Sequence, residues 1–156
     1  MPMTKFLILV LCFLFLASVE ANASTEVVRL HRSNVQIGDA VCVGGFDGVP
    51  IVYSCDDARS LRFFGIYDGK NDDGETVAIT EGLVVANINN KGWPVKKGEL
   101  LTTSGNEGHL MRQKDNILKA ETVARVVSEV SFDSDGEGLQ TQKVTIEIVR
   151  YVQTLQ

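Results

Sequence analysis

Histidine, cysteine and tryptophan are all scarce in this chain, at two, three and one among 156 residues. That supply leaves little from which to build a catalytic or metal centre. His31 and His109 lie in no H-E-x-x-H pattern and no cysteines form a C-x-x-C knuckle, so neither common kind of zinc site is available. No Gly-x-Ser-x-Gly elbow occurs to house a serine nucleophile. Ser104-Gly105 reads instead as a polar turn. Clustered cations are missing too: the net charge is −5, and only Lys96-Lys97 sit together. That excludes nucleic acid and anionic membrane surfaces as partners, since both demand grouped Lys and Arg. No catalytic residue, metal or cofactor is expected.

Long apolar runs are equally rare. The single one, Phe6 to Val19, ends at Glu20 and falls short of the roughly 20 residues a spanning helix needs. With Lys5 before it and Ala21-Asn22-Ala23 after it, the run has the three parts of a secretory signal, with cleavage expected after Ala23. Removing 1–23 takes away Lys5 and Glu20 together, so the mature chain keeps its charge of −5. It retains 156 − 23 = 133 residues, enough for one domain over 24–156. Export, to a secreted, periplasmic or cell-surface location, places Cys42 and Cys55 where disulfides persist. A bridge between them would staple one hairpin; the alternative is two buried thiols on neighbouring strands.

What is present is glycine and β-branched residues in short alternation. The runs Glu26–Leu30, Ala40–Val43, Pro50–Tyr53, Arg62–Tyr67, Thr76–Thr80 and Leu83–Asn87 are divided by turn residues, the pattern of an all-β sandwich or barrel. Asp47-Gly48 suits a tight hairpin. Val144, Ile146 and Ile148 alternate with Lys143, Thr145 and Glu147, giving a strand with one dry face. Between Asp115 and Val130, Ile117, Ala120, Ala124 and Val127 could line a helix face, but β-branching at Val123, Val126, Val127 and Val130 favours a strand.

Ile37-Gly38-Asp39-Ala40-Val41 recurs as Lys97-Gly98-Glu99-Leu100-Leu101, an offset of 98 − 38 = 60 residues. Each copy is followed by a glycine turn and further β-runs. We therefore expect a small barrel or β-clip-like domain built from two similar β-motifs, about 35–90 and 95–152.

Candidate ligand contacts are few. Trp93, with Asn87, Asn89 and Asn90 nearby, could form a sugar platform, the alternative for Trp93 being packing in a turn. The acidic stretch Asp133 to Gly138 imitates a calcium loop but has Val144 where the closing carboxylate belongs, so it reads as a solvated turn, as does Asp68 to Glu75.

Lys97-Gly98-Glu99-Leu100-Leu101-Thr102-Thr103-Ser104, followed by Gly108-His109-Leu110-Met111-Arg112, resembles the C-terminal β-domain of phage tail-fibre-like and bacterial surface-fibre proteins, lettered near PGDLLTTSxTPGHAMKA. Gln36 to Val43 resembles that domain's opening, and Glu137-Gly138-Leu139 and Leu155-Gln156 its close. Glu99 stands where that lettering has Asp, and Gly105-Asn106-Glu107 lacks its proline. The resemblance implies an all-β domain that terminates or trimerises a fibre, sometimes beside a self-cleaving chaperone segment. No residue here takes over that cleavage. The leading expectation is a non-catalytic structural or adhesive domain, a homo-oligomer with the trimer favoured, docking on a filament, cell surface or virion. A carbohydrate-binding module centred on Trp93 is second, and a hydrolase or autoprotease third.

Overall fold

A computed structural model describes residues 23–91, 94–132 and 138–151. The expected signal segment, apart from Ala23, lies outside the described residues, as do Trp93 and most of the acidic stretch 133–138. The chain is all β: β1 (Ser24–Val27), β2 (Arg29–Leu30), β3 (Ala40–Asp47), β4 (Val49–Ser54), β5 (Phe63–Lys70), β6 (Thr76–Asn89), β7 (Leu100–Thr103), β8 (Leu110–Arg112), β9 (Ala124–Val126) and β10 (Thr141–Ile148). Among the described residues there is no helix.

Strands β6, β8, β7, β9 and β10 form a closed ring. β10 pairs antiparallel with β6 and β9, β9 with β7, β7 with β8, and β8 returns to β6 in parallel at Ile88 and Leu110. The same order of partners appears upstream. β3 pairs with β4 and β5, β5 with β6, β6 with β1, and β2 with β4 in parallel. Only Val28 separates β1 from β2, and its N–H donates to the Thr76 carbonyl at 2.9 Å, so this one extended segment closes the first ring. The two motifs are thus two five-strand rings that share β6, whose first half serves the upstream ring and whose second half serves the downstream one.

The turn that opens each motif is built the same way. Gln36 N donates to Asp39 Oδ2 at 2.9 Å and Asp39 N to the Gln36 carbonyl at 2.9 Å. Lys96 N donates to Glu99 Oε2 at 2.8 Å and Glu99 N to the Lys96 carbonyl at 3.2 Å. Gly38 and Gly98, at φ 96° and 88°, supply the positive angle that the third position of a type II turn requires.

The apolar core falls into two clusters, and the larger one runs across both rings, joining Ala40, Cys42, Cys55, Ile66 and Ile79 of the first to the inward residues of the second. Val28, Val35, Val41, Val52 and Ala78 form the smaller cluster, on the first ring; Ile88, Leu101, Leu110, Val126, Val144 and Ile146 are the second ring's part of the larger one. The β10 alternation is realised, with Val144, Ile146 and Ile148 buried and Lys143 and Glu147 exposed.

Two local expectations need correction. The runs Thr76–Thr80 and Leu83–Asn87 are one strand, because Gly82 takes φ 88° and bends the chain while pairing passes from β1 and β5 to β10. Within Asp115 to Val130 only Ala124–Val126 is strand. Before it, the buried Gln113 does the work of a ladder: its Nε2 donates to the Ile117 carbonyl at 2.6 Å, and its Oε1 accepts from Thr122 Oγ1 at 2.6 Å. Lys119, at 2.5 Å from Asp115, holds that carboxyl below its ordinary range.

Cys42 on β3 and Cys55 just past β4 form a disulfide, with Cα atoms 5.0 Å apart and a sequence separation of 13. Closing so short a loop removes about 2 to 3 kcal/mol of unfolded-state freedom. The Cys42→Ala, Cys55→Ala double variant is expected to fold but to lose that much stability in urea unfolding. An unchanged midpoint at unchanged slope would show that the bridge contributes nothing.

Candidate functional site

Of the residues expected to form a sugar platform, the three asparagines are described, and each serves a different contact. Asn89 is fully buried; its Nδ2 donates to Ser104 Oγ at 2.8 Å and its Oδ1 accepts from Lys91 N at 3.1 Å. Asn90 is half-buried, and its Oδ1 takes the Gln140 N–H at 2.9 Å, tying the end of β6 to the approach to β10. Ser104 serves the turn after β7, where its Oγ also accepts from Asn106 N at 3.1 Å. Trp93 lies outside the described residues. Asn87 borders a hollow where the two rings meet.

That meeting point is organised by Asp39, which is only 6% exposed. Its Oδ1 accepts from Asn87 Nδ2 at 2.9 Å; its Oδ2 accepts from Gln36 N at 2.9 Å and Ser54 Oγ at 3.2 Å. Gly108, from the β7–β8 turn of the second ring, lies directly over the carboxylate. A Cβ on Gly108 would fall 2.4 Å from Asp39 Cγ, so glycine is what lets the second ring's turn dock here. Backbone bonds complete the joint: Ala40 N to the Gly108 carbonyl at 2.8 Å and Gly108 N to the Cys55 carbonyl at 2.9 Å.

Two hollows flank the joint. One, of about 470 Å³, is lined by Asn34, Gln36, Asn87, His109, Gln142 and Lys143 among others. The second, of about 600 Å³, has Tyr53, His31, Arg32, Arg62 and Asp56 on its walls, and both hollows share Ser54 and Glu107. Ser54, His109 and Asp39 therefore border one space, but they are not connected as a catalytic triad. The serine hydroxyl donates to the carboxylate instead of the histidine, and His109 Nδ1 donates to the Glu107 carbonyl at 2.7 Å. Among the described residues, no group of three or more His, Cys, Asp or Glu side chains is placed to hold a metal ion. The Asp68–Glu75 stretch is a hairpin turn in which Asn71 Oδ1 accepts from Asp73 N at 3.1 Å and Glu75 N at 2.9 Å.

Sequence reasoning did not single out Asp39, Gln142 or Lys143 as members of one site. For Asp39 a signal existed in the Gly-Asp/Gly-Glu echo, which marked the turn though not the ring-to-ring contact.

No family model and no curated protein matches the chain. Among solved structures, the crystal structure of the head fibre gp8.5 N base of bacteriophage phi29 is similar: 17% identical, with a TM-score of 0.51 over 86% of this chain and 100% of that one. At that identity the likeness is one of fold alone.

Proposed function

We propose that the chain is an exported, non-catalytic structural or adhesive domain of fibre type, working by self-association or by docking on a filament, cell surface or virion. The observation that carries this reading is the fold likeness to a phage head fibre base over that chain's full length. It agrees with the fibre-domain resemblance of the motifs around Gly38 and Gly98. Contact surface is at hand as well. Phe46, beside the β3–β4 turn, is 73% exposed, and Leu83 and Val85 stand outward on β6. Residues of this kind on the outside of a barrel suit burial against another copy or a partner.

Self-association, with three copies as the expected assembly, is tested by light scattering on the purified protein at low and moderate concentration. A mass three times that of the chain at both concentrations is the expected result. A monomer throughout removes self-association from the proposal and leaves docking as its remaining form.

A further inference from the structure

We infer that the paired hollow at the joint of the two rings is a binding cleft for an oligosaccharide, lying across the ridge made by Ser54 and Glu107. The inference rests on the adhesive half of the proposed function and names the ligand class for it. Four observations lead there.

The first is shape. Hollows of about 470 and 600 Å³ each have the size of a ligand pocket, and they adjoin, with Ser54 and Glu107 on the walls of both. The second is the balance of hydrogen-bonding groups. Asn34, Gln36, Asn87 and Gln142 each carry an amide that both donates and accepts, and Thr141 adds a hydroxyl. Sugar hydroxyls also do both, at similar density. Charge gives an anion no grip: Asp39 and Glu107 outnumber Lys143 on the walls of one hollow, and Asp56, Asp57 and Glu107 outnumber Arg32 and Arg62 on those of the other.

The third observation is Tyr53. One side of its ring lies against Gly44, where an added Cβ would sit 3.2 Å from Cδ1 and Cε1, and the residue also borders the second hollow. An aromatic ring held in this way offers a surface to the C–H groups of a pyranose, while the amides of the first hollow take the hydroxyls of the next unit. The fourth is Gln142. Its Oε1 is buried with no hydrogen-bond partner among the described residues, an unfavourable state for an amide oxygen. A hydroxyl donor in the cleft that draws the amide outward relieves it. Gln142 thus gains most from the kind of ligand that its neighbours suit.

The test is a glycan array carrying hexose, N-acetylhexosamine and uronic-acid oligosaccharides, followed by calorimetric titration with the best-bound compound. Wild type, Gln142→Ala, Tyr53→Leu and Trp93→Ala are compared, with near-ultraviolet circular dichroism confirming that each is folded. The expected result is a signal for wild type, at least tenfold weaker binding for Gln142→Ala and Tyr53→Leu, and wild-type binding for Trp93→Ala. No signal on any glycan overturns the inference, and so does binding that survives both cleft substitutions or is lost only with Trp93. Light scattering separates the two ideas, because a trimer without glycan binding removes the cleft alone, whereas a monomer that binds glycan removes self-association alone.

Discussion

Gly65→Ala is expected to destabilise the protein by about 3 kcal/mol, at the upper end of what overpacking by one methyl group does. Gly65 lies on β5 where that strand is flanked by both neighbours, facing Val41 of β3 and adjoining the Ile66–Ile79 pair with β6. A Cβ there would sit 2.4 Å from the Ile79 carbonyl oxygen and 3.1 Å from its carbon. Those are backbone atoms in a paired strand, so no rotamer change makes room. The chain must either part β5 from β6 or shift β6, and β6 is the strand both rings use. Gly74→Ala is the control: φ 78° makes alanine strained there, but nothing lies within 4 Å of the added methyl. Its loss should be nearer 1 kcal/mol, the ordinary penalty for an L side chain in left-handed backbone. Thermal unfolding of both variants decides the matter, and equal midpoints would mean that the crowding at Gly65 relaxes freely.

The sharing of β6 is also where reading the sequence met its limit. Glu81-Gly82 carries the same letters as a turn, and local chemistry alone makes it one. The strand runs through it because β10, some sixty positions later in sequence, supplies partners for Gly82 onward. Local signals elsewhere were sufficient. Asp47-Gly48 closes the β3–β4 hairpin with Gly48 at φ 70°, the β10 alternation names its buried face, and the Gly38 and Gly98 turns announce two related motifs. The cleft belongs to the first kind of case. Its residues come from the segment before β3, the end of β4, the last few residues of β6, the β7–β8 turn and the start of β10, which no spacing rule connects. Asn87 was legible as a polar residue in an apolar strand; what it serves, the Asp39 carboxylate, was not.

Asp39→Ala is expected to cost about 3 kcal/mol and to do so by loosening the two rings from each other. The carboxylate is the common acceptor for Gln36 N, Ser54 Oγ and Asn87 Nδ2, which come from the opening turn, the end of β4 and the second half of β6. Alanine leaves all three donors without their acceptor, each loss worth roughly 1 to 3 kcal/mol when no water replaces it. Ser54 and Asn87 border the open hollow, so water recovers part of that sum. The counterpart in the second motif gives the comparison. Glu99 caps its turn through Lys96 N and pairs with Arg112 at 2.9 Å, but both side chains keep contact with solvent, at 19% and 30% exposure, and both belong to the same ring. Glu99→Ala should therefore lose only about 1 kcal/mol, the scale of a single capping bond and a partly exposed ion pair. The two substitutions should also differ in kind. Hydrogen exchange in Asp39→Ala is expected to speed up at Ala40, Cys55 and Gly108, whose amides bond across or beside the joint, while amides inside β9 and β10 keep their protection. In Glu99→Ala the faster amides should instead be those of the turn at Lys96 to Glu99. If both variants lose the same stability and open the same amides, Asp39 is one more turn residue, and the joint is held by its backbone bonds and the apolar cluster that spans both rings.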